Sequence, residues 1–134
     1  MSALTAIQRV LQADSGVTSI VGNRRHMIEL PQNFTLPAVV LTMVDEIDGR
    51  HLLGSNKYPV ARFLVDCVGR TWDEADELGE AIKAALIDYR GTVTGYQIDD
   101  IGGDDLDFFD KGQSGVHWRR RLGFAARYRN LDAA

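Results

Sequence analysis

The chain has 134 residues and a formal net charge of -4, with 45% hydrophobic and 25% charged residues. This length fits one domain over residues 1–134, and the composition is that of a folded globular protein rather than a disordered or fibrous one. The acidic balance disfavours a dedicated nucleic-acid binder, and a lone cysteine, Cys67, excludes an internal disulfide framework. Arg9 interrupts the apolar pattern near the N-terminus, so we expect a cytoplasmic product with no membrane partner.

The first third of the chain predicts two helices. Apolar residues at helical spacing predict an amphipathic N-terminal helix that stops near Asp14: Leu4, Ile7, Val10 and Leu11. A second helix of one or two turns is predicted from a cap at Asp14 or Ser15 to Gly22, since glycine tolerates the left-handed conformation of a helix terminus.

Three extended segments follow. The stretch "RHMIEL", residues 25–30, predicts a short strand, and "LPAVVLTMVDE", residues 36–46, predicts a largely buried strand that begins at Pro37. The stretch "VARFLVDCVG", residues 60–69, alternates with period two, which places Phe63 and Cys67 on one apolar face. We interpret Cys67 as a small buried hydrophobe, because no cationic group lies beside it in the sequence.

A long helix is predicted after residue 70. Thr71 and Glu74 have the spacing of a capping box, and Gly91 follows the last predicted turn. The predicted apolar stripe that would cover a sheet is Ala75, Leu78, Ile82, Ala85, Leu86 and Tyr89. We interpret the acidic outer face of this helix as solvated.

Opposite charges are segregated near the C-terminus. Residues 98–112 contain six aspartates and one lysine, whereas residues 116–129 contain five arginines. Alternation in the second stretch predicts an amphipathic strand, with Arg120 as the one charged residue on its apolar face. The apolar side is Trp118, Leu122, Phe124, Ala126 and Tyr128, and the polar side is His117, Arg119, Arg121, Arg127 and Arg129. If residues 96–110 form the antiparallel partner, with 111–115 as the turn, cross-strand ion pairs explain both clusters, and a DNA-binding patch is the alternative.

No pattern of catalytic or ligand-binding residues is present in the sequence. The aspartates from Asp99 to Asp110 lack the register of a calcium loop, although a structural metal is left open, and the three histidines lie far apart. No glycine-rich phosphate loop or nucleophile motif occurs. We therefore expect no enzyme activity, no catalytic residues, no metal site and no cofactor.

Together these elements predict an α+β fold. We expect a mostly antiparallel four-stranded β-sheet, with the N-terminal helix and the long capped helix packed on one face. A long β-hairpin arm is predicted between the two central strands, at residues 46–59, because that connection is far longer than a hairpin turn requires.

The ordered set of elements resembles the tail-completion or tail-terminator family of long-tailed bacteriophages and phage-like particles. The resemblance is carried by "VGNRRHMIELPQNFTLPAVVLTMV", by the strand and threonine-capped helix of "ARFLVDCVGRTWDEADELGEAIKAAL", and by the terminal strand "GVHWRRRLGFAARYR". It implies a virion protein of the tail or neck, assembled in the bacterial host cytoplasm. Such proteins form a hexameric ring on the finished tail tube, stop its polymerisation and dock the head connector. DNA passes through the lumen without specific binding.

Two other functions are left open: a head-side connector or neck protein of the same particle, and a small nucleic-acid-binding module that uses the arginine-rich strand. The arm at residues 46–59 carries Leu52 and Leu53, which either cap the domain's own core or reach a neighbouring subunit or the tail tube. The candidate interface residues are Arg50, Leu52, Leu53, Lys57, Arg119, Arg121, Arg127 and Arg129.

Overall fold

The structure is a computed structural model that describes residues 3–28, 35–47, 60–111 and 117–131. The predicted arm at residues 46–59 lies largely outside these residues, and so does the predicted turn at 111–115, of which only Lys111 is described, at the end of a strand. The elements are α1 (Ala3–Ala13), α2 (Ser15–Val21), β1 (Arg25–Met27), β2 (Ala38–Ile47), β3 (Val60–Gly69), α3 (Trp72–Leu86), β4 (Gly91–Val93), β5 (Tyr96–Lys111) and β6 (Trp118–Asn130).

The α+β class is confirmed, but the prediction of four strands is wrong. The described residues form a six-stranded mixed sheet in the order β1-β2-β3-β6-β5-β4. The pair β1 and β2 is parallel, and the other neighbouring strands pair antiparallel. Strand β1 lies within the short strand predicted at residues 25–30, whereas the edge strand β4 was not predicted. Strand β4 has three residues, which are too few to show the periodicity of a strand.

The two N-terminal helices form where the sequence predicts them. Every predicted apolar position of α1 is buried, from Leu4 to Leu11. Asp14 caps α2, with its side chain accepting a hydrogen bond of 3.0 Å from the Val17 backbone N–H. Gly22 ends the helix with a φ of 57°, in the left-handed region.

Helix α3 begins as predicted and ends earlier. Thr71 accepts a hydrogen bond of 3.2 Å from the Glu74 backbone N–H, which is the N-cap half of a capping box. The helix stops at Leu86 rather than continuing to Gly91. Asp88 adopts a φ of 63°, and its N–H donates to the Ile101 carbonyl in β5. Pairing with the sheet therefore replaces the next helical turn, and Tyr89 lies beyond the helix, packed on the edge of the core.

The core lies between the sheet and the helices. Helices α1 and α3 contact the same layer of strands, and α2 packs against both of them. Phe63 of β3 and Phe124 of β6 stack at the centre, with 5.5 Å between ring centroids, and each is 1% exposed. Cys67 is also fully buried, and burial raises the pKa of its thiol, which leaves the thiol unreactive.

Trp118 lies on the predicted apolar face of its strand but outside the core. Its predicted face is correct, because it pairs with Gly69 and lies in the same alternation as Phe124. However, it sits at the end of the sheet, is only partly buried, and contacts Lys111, whose Nζ is 5.1 Å from the centroid of the Trp118 ring. It is therefore not part of the core beneath α3.

Candidate interface on the sheet and a buried arginine beneath α3

Strand β6 presents arginines on both faces of the sheet. Arg119, Arg121, Arg127 and Arg129 share the face that points away from the helices, which we name the arginine face. Arg120 points the other way, towards α3, and is 4% exposed. The predicted alternation is thus confirmed, including the position of Arg120 among apolar neighbours.

Aspartates neutralise much of the arginine face. Arg121 donates two hydrogen bonds to Asp66 of β3, at 2.7 and 3.0 Å. Arg119 donates two to Asp110 of β5, at 2.9 and 2.6 Å, and these bonds hold the pKa of the Asp110 carboxyl below its usual range. Bidentate pairing of this kind fixes both side chains in one geometry. The predicted cross-strand ion pairs are therefore present, with one partner on β5 and one on β3.

Two further arginines on this side of the sheet, Arg129 and Arg62, also contact aspartates. Arg129 contacts Asp99 at 3.4 Å, and Arg62 donates a hydrogen bond of 2.8 Å to Asp45. Arg127 is exposed and forms no ion pair with any residue that the structure describes. The paired carboxylates therefore offset much of the positive potential that phosphates would encounter at the arginine face.

Arg120, which is itself buried, is the centre of an ionic cluster with partly exposed carboxylates that joins three elements. Its guanidinium donates two hydrogen bonds of 2.8 Å to Asp107 of β5. On α3 it donates to the Asp76 side chain at 3.2 Å and to Glu80 at 3.1 Å. The ring of Phe109 lies beneath it, 5.2 Å from the guanidinium carbon to the ring centroid. One side chain therefore ties α3 to β5 and β6.

Lys83 extends this cluster towards a surface groove. Its Nζ lies 2.8 Å from Oδ2 of Asp107, the same oxygen that accepts one hydrogen bond from Arg120. The register of β5 against β6 shifts between Gly103 and Asp107, and the resulting bulge opens a groove of about 390 Å³ beside Lys83 and Phe124. Among the described residues that line the groove, Lys83 and Asp107 form an ion pair, and no nucleophile lies beside a base.

Within the described residues, no group of three histidine, cysteine or acidic side chains is placed to hold a metal ion. No helix in that part of the chain has the length and apolar character needed to cross a membrane. Four of the predicted interface residues lie outside the described residues: Arg50, Leu52, Leu53 and Lys57.

Comparison with known proteins decides the family. The family model described as "Tail completion protein gp17" matches residues 5–129, which is nearly the whole chain. The chain belongs to the tail completion protein family. It is a structural protein of the bacteriophage virion, located in the tail or neck. The resemblance seen in the sequence is therefore confirmed.

The fold of this tail completion protein is also found in a solved structure. A chain from a structure titled "Virion of native gene transfer agent (GTA) particle" matches with a TM-score of 0.73 and 17% sequence identity. The match covers 94% of this chain and 93% of that chain. At this level of identity the likeness concerns the fold. A comparison with curated protein sequences finds no significant match.

Sequence reasoning missed the role of Arg120 in this tail completion protein. The acidic face of α3 was interpreted as solvated, yet Asp76 and Glu80 both contact Arg120. Two features of the sequence could have indicated this role. One is the single arginine on an apolar strand face, and the other is the pair Asp76 and Glu80, which lie four residues apart on one side of the helix, next to Gly79. Only the packing of α3 on β6 brings these signals together.

Replacing Gly79 of α3 by alanine should destabilise the protein, which is the opposite of the usual effect of this substitution in a helix. Replacing glycine by alanine within a helix ordinarily stabilises it by about 1 kcal/mol. At Gly79, a Cβ would lie 2.6 Å from Cδ of Arg120, which is closer than atoms can pack. We therefore expect Gly79→Ala to lower the free energy of unfolding by about 1 to 3 kcal/mol, through overpacking. Urea denaturation measures this change.

A double-mutant cycle supplies the control for this prediction. In an Arg120→Ala background the obstructing side chain is absent, so Gly79→Ala should become neutral or stabilising. The same destabilisation in both backgrounds would show that the close approach of Arg120 is not its cause.

Acid should weaken the ionic cluster. The pKa of Asp107 lies below its ordinary value of 3.8, mainly because Arg120 donates hydrogen bonds to it, with a further contribution from Lys83. Unfolding returns this pKa to the ordinary value, so the stabilisation is complete above pH 3.8 and is lost as the pH falls below it. We expect Asp107→Asn to reduce the loss of stability between pH 6 and pH 3, as measured by urea midpoints.

The control for the acid experiment is Asp73→Asn, on the exposed side of α3. It should keep the pH dependence of the wild-type protein. An Asp107→Asn variant with unchanged pH dependence would contradict the assignment.

Proposed function

We propose that this chain is a tail terminator, which closes as a hexameric ring on the end of the finished tail tube. The ring stops the addition of tube protein and offers its opposite surface to the head connector. The observation that carries this proposal is the match of the tail completion family model to residues 5–129. In this proposal residues 1–134 act as one domain, and no catalytic step is required.

The charge distribution supports assembly by contacts between unlike surfaces. A ring needs heterologous interfaces, in which one surface of a subunit meets a different surface of the next. The two edges of the sheet differ in this way, since the β1 edge carries Arg24, Arg25 and His26 and the opposite edge, along β5, is rich in aspartates. A subunit with unlike surfaces can be followed by identical subunits in one direction, which a self-complementary dimer interface does not allow.

The candidate interface residues belong to this proposal. We assign Arg127 to contacts with neighbouring proteins, because it is exposed and carries no ion pair with a described residue. Arg119, Arg121 and Arg129 are already held by aspartates, so they shape the surface more than they attract anions. For Arg50, Leu52, Leu53 and Lys57, contact with a neighbouring subunit or the tube stays a prediction from the sequence.

DNA passes through such a ring during injection, and a lumen that gripped phosphates would hinder it. The paired arginines are compatible with weak, sequence-independent contact. We expect the purified protein to form no sequence-specific complex with duplex DNA at submicromolar concentration in physiological salt. Fluorescence anisotropy measures this binding. A tight specific complex whose affinity falls steeply with salt would favour the nucleic-acid-binding module instead.

Sedimentation with purified partners separates the terminator from a head-side connector. The protein is mixed with polymerised tail tubes in one experiment and with assembled head connector in another. A terminator should co-sediment with the tubes and saturate at about one ring for each available end. Binding to the connector without any binding to tubes would support the head-side alternative.

The same experiment tests the arm. Replacing residues 48–57 by an Asn-Gly turn should leave the melting temperature near that of the wild type and abolish tube binding. Normal tube binding by this variant, or outright unfolding, would remove the arm from the mechanism.

A further inference from the structure

The two edges of the sheet are stepped. Strand β1 pairs only with residues 39–41 of β2, so β2 from Thr42 to Ile47 has no outer neighbour among the described strands. At the other edge, β4 pairs only with residues 96–98 of β5, and the Asp88 N–H bonds to the Ile101 carbonyl, so β5 from Gly102 to Lys111 has no outer strand in the described part of the chain. Each edge thus has one projecting short strand and one open segment.

The short strand β1 at one edge lies at the same height in the sheet as the open segment of β5 at the other edge. Following the register across the sheet, His26 is level with Val40, then with Asp66 and Arg121, and finally with Phe108 of β5. Strand β1 is therefore at the height where the outer edge of β5 is open. Three successive antiparallel pairings from β2 to β5 also make β1 antiparallel to β5.

Strand β1 has backbone groups available for a further strand. The Arg24 carbonyl accepts from the Val39 N–H at 3.0 Å, and the Ile28 N–H donates to the Leu41 carbonyl at 2.7 Å. Because successive residues of a strand alternate in direction, Arg25 and Met27 direct their backbone groups away from β2. Met27 therefore presents both its N–H and its carbonyl to the outside. Open edges of this kind readily pair with another chain.

Side chains at the two edges are complementary in charge. The β1 edge is basic, with Arg24, Arg25 and His26, and the sequence places Asp104 and Asp105 in the open part of β5. The two other aspartates there, Asp107 and Asp110, are already paired with arginines of β6. Within the described residues, Nε of Arg25 and Nε2 of His26 are buried without a hydrogen-bond partner. Apolar side chains are exposed at both edges: Ile28 is 63% exposed and Phe108 is 39% exposed.

We propose that copies of this chain join edge to edge, with β1 of one subunit adding antiparallel to the open segment of β5 in the next. This inference rests on the proposed ring and assigns the surfaces that build it. The two surfaces differ, so the contact is heterologous and repeats from subunit to subunit. The joint extends the sheet around the ring and leaves the helices on one side and the arginine face on the other.

Disulfide trapping tests this joint, because the one native cysteine, Cys67, is fully buried. One cysteine replaces His26. A second is placed in turn along the same face of β5, at Gly102, Phe108 or Asp110, since strands in closed sheets are tilted and the register can slide. At least one pair should give a ladder of covalent oligomers under oxidising conditions. The single variants should give no such ladder.

A backbone substitution tests the joint independently. Met27→Pro removes the outward N–H and leaves the groups that bond β2 in place, because proline is tolerated where an edge N–H faces outward. Met27→Ala is the matched control, which loses the side chain and keeps the N–H. In sedimentation equilibrium, we expect Met27→Pro to weaken self-association at least about tenfold relative to Met27→Ala. Equal association of the two variants would overturn the proposal.

The outcomes separate the joint from the proposed function. Rings that form in native mass spectrometry without any cross-link from position 26 to β5 would overturn the joint and leave the terminator function standing. Cross-linked rings that fail to bind tail tubes would contradict the function and leave the joint intact. A wild-type chain that stays monomeric at millimolar concentration would overturn the joint.

Discussion

Replacing Phe63 by alanine should lower the free energy of unfolding by about 3 to 5 kcal/mol. The ring is 1% exposed and stacks on Phe124, so its removal leaves a cavity at the centre of the core, where β3, β6 and the helices meet. The loss combines the transfer free energy of the ring, the contacts across the cavity and the aromatic pair itself. Denaturant titration followed by tryptophan fluorescence measures it.

Trp118→Ala is the matched control for this experiment. Trp118 lies on the same face of the sheet as Phe124 but at its end, partly exposed and against Lys111. Its removal should cost about 1 to 2 kcal/mol, since part of the ring is in water in the folded state. Circular dichroism is the readout here, because the substitution removes a fluorophore. Equal losses for the two variants would contradict the position of the core beneath α3.

Replacing Arg120 by methionine should have the second large effect. Methionine keeps much of the side-chain length, but Asp107, Asp76 and Glu80 lose their common cation. The loss combines the charge-assisted hydrogen bonds of Arg120 with the mutual repulsion of three carboxylates that remain partly exposed to water. We expect a loss of about 2 to 4 kcal/mol, less than for a fully enclosed pair because Asp107 keeps contact with water.

Arg119→Met supplies the comparison for Arg120. It is the neighbouring residue, it forms a bidentate pair with Asp110, and it lies on the more exposed arginine face. Its loss should cost about 0 to 1 kcal/mol, which is typical of ion pairs near the surface. If the two variants lose the same stability, the cluster beneath α3 does not anchor the helix to the sheet.

The sequence predicted those parts of the fold that carry local patterns. Helical spacing, the Asp14 and Thr71 caps, and the alternation in β3 and β6 all correspond to elements of the structure. The end of α3 was not predictable in the same way, because it depends on the bond from the Asp88 N–H to the Ile101 carbonyl in a distant strand. Strand β4 forms through pairing with β5 and has little pattern of its own, whereas β1 lies within the strand predicted at residues 25–30.

In the candidate site, too, local sequence patterns predicted some features, and others depend on tertiary packing. Period-two alternation correctly divided the arginines of β6 between the two faces. It could not assign their partners, because Asp66 is 55 residues from Arg121 and reaches it only through the pairing of β3 with β6. Asp76 is likewise brought to Arg120 by the docking of α3. Charge partners across elements depend on tertiary packing, which local patterns do not contain.

Electron microscopy of tail tubes assembled with and without this protein tests the terminator function most directly. Tube protein polymerised alone should give filaments of broadly distributed length. Adding the purified chain, labelled with gold at an engineered terminal tag, should place label at one end of each tube and stop further growth when more tube protein is supplied. Label distributed along the tubes or absent from them, with growth continuing unchanged, would contradict the proposal that this chain terminates the tail.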